Sequence, residues 1–472
     1  MQQLTHGQRE RHDRCHQFID RGSETAFLEE RYRTTNPEFL VIYGRHRIGK
    51  TRLLLNFSEN KPGIYFLCTK DSEQENMNRM KQKMSEFLDM PAFERLEVSS
   101  WIEIFGYFFE FYRGDEKVLF IIDEFPYLIE LGRGVTSVFQ MIWDENLSKR
   151  DVMLVLTGSS VGMMETEVLG YHSPLYGRRT GQWKVTEIDF GYLGQFLPEY
   201  GTVDLCMVYG VVGGVPAYLE KFDCGLTFFE NVRERMLKKG EFLSLEPEFL
   251  LRAEFREQKN YFLILKAIAL GYNTLAHVST YTGIEKGNAS KYLHVLENTR
   301  IVRHILPIGR RKRGIYVIDD PLFAFWFRFV YPNRDSVEAE DYETLLSKIE
   351  NDFSTYMGQR FEFLCEHLMR KRHIPLPITP TSIGKWWHKE EEIDIVALNE
   401  ETSEILFCEV KWTDLGKPKA ERLLSSLIAK AESMDWRTGE RKEYYGIIAR
   451  KIDCKEEFRD RGYVAFDLED FG

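Results

Sequence analysis

The uninterrupted apolar run Phe39-Leu-Val-Ile-Tyr43 leads directly into Gly44-Arg45-His46-Arg47-Ile48-Gly49-Lys50-Thr51, which has the spacing G-x-x-x-x-G-K-T. No other segment restricts the fold so strongly. The two glycines let a strand-ending turn close around phosphate oxygens with backbone N–H groups pointing inward. Lys50 then reaches the β- and γ-phosphates, Thr51 ligates Mg²⁺, and residues 44–51 together form a candidate triphosphate site. Arg52-Leu-Leu-Leu-Asn-Phe57 reads as helix, which seats the loop on a helix N-terminus. The bland alternative is an ordinary glycine-containing turn between strand and helix.

Further apolar runs follow at 63–68, 118–122, 152–156 and 183–188. Uninterrupted runs suit strands covered on both faces, as in a parallel sheet with helical crossovers. The expected fold class is therefore multidomain α/β, with residues 1–190 as a P-loop NTPase core. Residues 191–255 read as a helical lid broken by Gly210-Val-Val-Gly-Gly-Val-Pro216. Residues 256–330 read as a winged helix-turn-helix, 331–350 as a connector, and 351–472 as a further α/β domain. The length of 472 residues accommodates about three such domains.

Hydrophobic content of 43% with 29% charged residues is globular, and no apolar stretch reaches the roughly 20 residues that span a bilayer. The first ten residues lack an apolar secretory segment, so a cytoplasmic protein without a membrane partner is expected. Seven scattered cysteines with no C-x-x-C pair read as reduced thiols packed as small hydrophobes. A net charge of −11 argues against indiscriminate polyanion binding by the whole surface. A local basic patch is still compatible with nucleic acid.

Val118-Leu-Phe-Ile-Ile-Asp123-Glu124 ends a buried strand in two carboxylates, a costly arrangement unless they meet a cation or a water to activate. Asp123 is the candidate Mg²⁺ partner, and Glu124 is placed to orient or deprotonate the water that attacks the γ-phosphate. At the end of another strand, Thr157 or Ser159 is a candidate γ-phosphate sensor, or equally a hydroxyl starting a turn. Arg178 offers a guanidinium for transition-state charge, from the same chain or a neighbour, with surface ion pairing as the alternative.

These segments resemble the archaeal-type P-loop ATPases related to the signal-transduction ATPases with numerous domains. The resemblance rests on Phe18-Ile-Asp-Arg21, Tyr43–Thr51, Ile122-Asp-Glu-Phe-Pro126, Leu156-Thr-Gly-Ser159, Ser173-Pro-Leu-Tyr-Gly-Arg178 and Gly213-Gly-Val-Pro-Ala-Tyr-Leu219, in the family's order. It implies ATP with Mg²⁺, a Phe18–Arg21 segment near the adenine, Glu124 as catalytic base and Arg178 as a phosphate-side arginine. His46 stands where many members carry arginine.

In the winged-helix reading, the recognition helix carries Asn288, Ser290, Lys291 and His294, and the wing carries Arg310, Arg311, Lys312 and Arg313. Polar side chains on the helix suit base edges and a basic wing suits phosphates. Protein contacts and a simply solvated basic turn are the alternatives.

Farther along, Glu392-Ile-Asp394 and Glu409-Val-Lys411 lie in neighbouring apolar runs, and strand alternation puts Glu409 and Lys411 on one face. Two carboxylates with a lysine are a recurrent way to hold Mg²⁺ beside a scissile phosphate. This pattern resembles the PD-(D/E)xK nuclease superfamily, whose restriction-endonuclease-like α/β fold is thereby implied for 351–472. The resemblance implies Glu362 as a helical metal carboxylate beside Asp394 and Glu409, with Lys411 catalytic; Ile393 replaces the proline of the pattern. A degenerate fold used only for binding, or a buried Glu409–Lys411 ion pair, is the alternative.

The combined expectation is an ATP-hydrolysing protein that acts on DNA or another nucleic acid, with nucleotide state controlling a winged-helix reader and a metal-dependent nuclease domain. A nucleotide-controlled switch or scaffold that binds a protein partner, or itself, is the alternative.

Overall fold

The computed structural model describes residues 18–132, 134–255, 257–310, 312 and 314–471. Arg311 and Arg313 therefore lie outside the described residues. The chain divides into two compact units, residues 1–189 with 215–217 and residues 190–214 with 218–472.

The first unit is built on strands β1 (Glu38–Tyr43), β2 (Gly63–Leu67), β3 (Val118–Asp123), β4 (Val152–Gly158) and β5 (Gly181–Lys184), paired in parallel in the order β2-β3-β4-β1-β5. Alternation divides each strand between two cores. Phe39, Val41, Phe120, Ile122, Leu154 and Leu156 face one core, whereas Leu40, Ile42, Leu119, Ile121, Met153 and Val155 face the other. Both faces are buried, which explains the unbroken apolar runs. The last strand is shorter and earlier than residues 183–188, because its pairing with β1 ends at Tyr43, where the phosphate loop begins. Since every pair is parallel, the loops after β1, β3 and β4 emerge along one edge. Helices α1 (Gly22–Tyr32) and α2 (Lys50–Ser58) flank β1 in the chain.

The second unit takes in Phe190–Gly214, including α3 (Thr202–Val212), so most of the stretch expected as a lid belongs to this body. Helices α4 (Gln258–Ala269), α5 (Leu275–Thr282) and α6 (Lys286–Asn298) then pack on one another. They are followed by the antiparallel strands β6 (Val302–Ile305) and β7 (Ile315–Ile318). Asp341, whose side chain accepts from the Thr344 amide, caps the 29-residue helix α7 (Tyr342–Arg370). This helix runs straight through the domain boundary expected at 350/351. Its buried stripe, Leu345, Ile349, Phe353, Met357, Phe361, Leu364 and Leu368, has helical spacing from end to end and leaves no place for a connector to break it.

Beyond α7 come β8 (Ser382–His388), β9 (Glu391–Asn399), β10 (Glu404–Leu415), helix α8 (Lys417–Glu432), β11 (Lys442–Ile452) and β12 (Val464–Phe466). The sheet order is β12-β11-β10-β9-β8, antiparallel from β8 to β10 and parallel from β10 to β12. Ile308, from the turn after β6, joins the apolar core of this sheet with Trp386 and Ile393. Its amide donates to the Lys385 carbonyl at 2.9 Å. From α7, the Arg360 guanidinium donates to the carbonyls of Ile318 at 3.1 Å and Asp319 at 2.9 Å. The β6–β7 pair is thus fastened to the C-terminal sheet and to α7. Because Arg360 is buried, Arg360→Ala strands two carbonyls and is expected to cost about 2–3 kcal/mol, read as a lower urea midpoint of the second unit.

Candidate functional site

Arg47 (φ 68°) and Gly49 (φ 87°) take left-handed backbone, and α2 starts at Lys50. That sequence of conformations turns successive amides inward to make an anion-binding nest. Gly44 has no room for a Cβ, which would lie 2.5 Å from the Val185 carbonyl oxygen. Buried Arg21 holds the loop from outside, donating to the carbonyls of Ile48 and Thr186, each at 2.9 Å. Burial depresses its pKa against the opposing pull of Glu24 and Asp20. Arg45 pairs with Glu187 at 2.8 Å.

Lys50, only 5% exposed, donates to the carbonyls of Gly44 at 2.8 Å and Arg45 at 3.1 Å and to the Ser159 hydroxyl at 2.8 Å. Ser159 in turn donates its hydroxyl hydrogen and its amide to the Glu124 carboxylate. Glu124 takes left-handed backbone (φ 53°) at the start of the helix Phe125–Leu131, which turns its side chain away from the strand. Asp123 accepts from the Thr51 hydroxyl at 2.8 Å and the Tyr65 hydroxyl at 2.6 Å. Burial, then the bond to Asp123, holds the Tyr65 phenol well above its ordinary range. A buried carboxylate joined to the loop threonine is a donor set that fits Mg²⁺.

These groups open on a cleft of about 630 Å³ lined by His46, Lys50, Thr51, Glu124 and Ser159, with Phe18 and Ala217 also on its wall. Two expected residues lie elsewhere. Thr157 is fully buried inside β4, and its hydroxyl has no hydrogen-bond partner; Ser159, two residues on and past the strand end, takes the place in the cleft. Arg178 pairs with Asp144 at 3.0 Å. It precedes β5, whose Gly181 sits opposite Leu40 near the start of β1. The phosphate loop follows the other end of β1, so Arg178 stands at the wrong edge of the sheet to serve its own loop. Arg21 and Tyr65 complete the site, and their positions depend on long-range packing that local pattern does not encode.

In the second unit, α6 turns Ala289, Leu293 and Leu296 inward and leaves Asn288, Ser290, Lys291 and His294 exposed. Arg310 and Lys312, between β6 and β7, are exposed too. On the C-terminal sheet, Glu362 from α7 and Glu392 and Asp394 from β9 bring carboxylate oxygens within 4.8 Å of one another. Glu409 is not in that trio. Its carboxylate, 4% exposed, accepts from Lys411 at 2.7 Å and from Lys430 of α8 at 2.6 Å. Lys411 bridges it to Asp394, also at 2.7 Å, so the expected Asp394, Glu409 and Lys411 do meet.

Lys385 lies between Glu362, at 2.8 Å, and Glu392. Burial first, then the neighbouring Asp394 charge, pushes the Glu362 carboxyl up to about 7. At Lys385 burial pulls downward, but Glu362 and Glu392 outweigh it and hold the ammonium protonated. At Asp394 burial is likewise outweighed, by Lys411, and the carboxyl sits below its ordinary range. Glu392 shares a strand face with Asp394 two residues away, a signal available in the sequence; Lys430 carries none.

Residues 18–222 match an ATPase domain predominantly from Archaea. Residues 326–423 match a family described as Archaea bacterial proteins of unknown function. An uncharacterized protein of Methanocaldococcus jannaschii is 35% identical over 459 residues, covering 96% of this chain and 100% of that protein. An uncharacterized ATP-binding protein of the same organism is 41% identical over 44 residues, 9% of this chain and 75% of its own length. Among solved structures, a Walker-type ATPase of Pyrococcus abyssi superposes with a TM-score of 0.46 at 21% identity, covering 66% of this chain and 96% of that one. The ORC2 protein of Aeropyrum pernix gives 0.43 at 13% identity, covering 72% and 95%. Among the described residues no helix is long and apolar enough to cross a membrane. With a relative matched over its entire length and the domain that carries the phosphate loop assigned, the chain belongs to a family of archaeal-type ATPases.

Proposed function

We propose that the chain binds and hydrolyses ATP with Mg²⁺ in the cleft of the first unit and uses the nucleotide state to control nucleic-acid chemistry in the second. The observation that carries the hydrolytic part is the chain Lys50–Ser159–Glu124, set beside the Thr51–Asp123 pair. Thr51 and Asp123 would hold Mg²⁺, which neutralises charge on the β- and γ-phosphates when bound. Lys50 exchanges its loop carbonyls for phosphate oxygens, and Ser159 is left to orient Glu124. Glu124 takes the proton of the attacking water.

The nucleic-acid part is supported by the order of three helices and an antiparallel pair, which suits a winged helix, and by the exposed polar face of α6 next to an exposed basic turn. The order helix, three antiparallel strands, helix, parallel strand around Asp394, Glu409 and Lys411 suits a PD-(D/E)xK nuclease. Glu362 and Asp394 would hold its metal, with Glu392 within reach. One observation favours the switch or scaffold reading instead: Lys411 and Lys430 already neutralise Glu409, an arrangement that also serves as a purely structural ion-pair network.

For the ATP site, Lys50→Ala and Glu124→Gln are each expected to lower steady-state ATP turnover by about 10²–10³-fold. Glu124→Gln keeps ATP binding, measured by fluorescent-nucleotide titration, whereas Lys50→Ala weakens it. Undiminished turnover in the purified Lys50→Ala protein would remove the proposal.

Glu362 supplies a pH test. Its carboxyl is raised from the ordinary 4.5 to about 7, so the folded state holds a proton that the unfolded state has lost. Stability of the metal-free protein therefore falls as pH rises from about 4.5 to 7, by an amount on the order of 3 kcal/mol at most. Glu362→Gln should flatten that fall in urea titrations at stepped pH. Mn²⁺ affinity, by contrast, should rise over pH 6 to 8 as the carboxyl loses its proton, and Glu362→Gln should weaken it at pH 8. A pH-independent Mn²⁺ affinity, or equal affinity in Asp394→Ala, speaks for the scaffold.

A further inference from the structure

A second cleft, of about 200 Å³, lies over the carboxylates of Glu362 and Asp394. Part of its wall comes from outside the C-terminal sheet: strand β6 contributes Arg303 through Ile305, and Leu306 follows. This wall is fixed in place. The Ile308 amide is bonded to the Lys385 carbonyl of β8 at 2.9 Å, and Arg360 ties the end of β7 to α7.

The wall pairs arginines with carboxylates. Arg303 stacks over the Phe363 ring at 4.3 Å from its centroid, with one nitrogen 3.3 Å from Glu366 and another 3.1 Å from Asp319. Arg370 donates to the other oxygen of the same carboxylate, at 2.8 Å, and to the Ile383 carbonyl. Two guanidiniums thus converge on Glu366 within one helical turn of Glu362. A planar guanidinium matches two oxygens of a phosphate, and one that is held by an aromatic face loses little freedom on binding it.

Resting on the nuclease reading of Glu362, Asp394 and Lys411, we infer that β6 completes the substrate site: Arg303 is a phosphate-positioning residue for a single polynucleotide strand. The strand restriction follows from size. At about 200 Å³ the cleft falls below the roughly 300–1,000 Å³ of pockets that engulf a small molecule. It admits one phosphodiester and its sugar. Arg303 takes the phosphate in exchange for its ion pairs with Asp319 and Glu366, beside Glu362 and Asp394. The exposed face of α6 belongs to the same unit and supplies a separate contact with nucleic acid.

The test uses the full chain, Mn²⁺, and end-labelled oligonucleotides of one sequence, single-stranded and blunt duplex. Mn²⁺ binding is measured separately by titration calorimetry. The expected result is cleavage of the single strand at least tenfold faster than the duplex. Arg303→Ala should raise KM about tenfold, the equivalent of one lost phosphate contact, with a smaller change in kcat and Mn²⁺ affinity within twofold of wild type. Arg303→Lys should recover part of the KM. Leu306→Trp, which fills the cleft from an exposed position on the same wall, should abolish single-strand cleavage and leave ATP turnover unchanged. Equal rates on both substrates, or an unchanged KM in Arg303→Ala together with undisturbed cleavage in Leu306→Trp, overturns the inference while the nuclease reading stands. Wild type that neither binds Mn²⁺ nor cleaves overturns the nuclease reading and the inference with it.

Discussion

Asp123 is a carboxylate at 1% exposure, and the first unit is arranged around keeping it there. An ionised group so removed from water costs several kcal/mol unless its lone pairs are matched. Three donors match them: the Thr51 and Tyr65 hydroxyls and the amide of Glu124. Each comes from a different step in the topology. Thr51 follows β1, Tyr65 lies on β2, and Glu124 follows β3, so the bonds form only when those strands are adjacent or nearly so and all parallel. The sheet order and the site are therefore one requirement. The left-handed backbone at Glu124, which costs a non-glycine residue about 1–2 kcal/mol, is held by the same contacts and by the pairing of its carboxylate with Ser159.

Much of this was legible because the chemistry sits at strand ends. Residues 44–51, Asp123 and Glu124 are recognisable by type and by the apolar run before each, and the two-sided burial of those runs announces a parallel sheet. Arg178 stands away from its own phosphate loop for the converse reason. Its neighbours suggest a phosphate-side arginine, but the direction of β5 relative to β1 decides which edge it occupies, and direction is a tertiary property. Thr157 and Ser159 differ only in where β4 stops: a residue inside the strand faces the core, and one past its end faces the ligand edge. Arg21 reads as part of a nucleotide-side segment, yet it reaches the Ile48 carbonyl 27 positions away. No local periodicity encodes that contact.

In the C-terminal sheet, alternation correctly set Glu409 and Lys411 on one face, and pairing with β9 brought Asp394 to them. What alternation cannot say is how many cations arrive from other elements. Lys430 comes from α8 and Lys385 from β8, so each carboxylate that pattern alone presents as a metal ligand meets an ammonium as well. The outcome differs among the acids. Asp394 has Lys411 and a backbone amide and is held ionised. Glu362 has Lys385 against burial and the Asp394 charge, and there burial prevails. Two carboxyls a few ångströms apart are thereby set to opposite protonation tendencies, which a divalent ion would reverse at Glu362 alone.

The attachment of β6 and β7 to the C-terminal sheet changes how a nucleic-acid contact at α6 would act. A reader joined by a flexible linker sets only the local concentration of substrate. Here the turn after β6 shares a backbone bond with β8 and a buried apolar residue, Ile308, with the sheet's core, and Arg360 anchors the end of β7. Any strand held by α6 therefore has a set direction relative to Glu362 and Asp394. Orientation of that kind lowers the entropic barrier to reaction, because the phosphate need not search once the strand is bound. Glu362 rides on α7 whereas Asp394 sits on β9, so a shift of α7 against the sheet changes the separation of the two carboxyls. The Tyr356 hydroxyl of α7, which donates to the Gly210 carbonyl of α3 at 2.8 Å, resists such a shift from within the same unit.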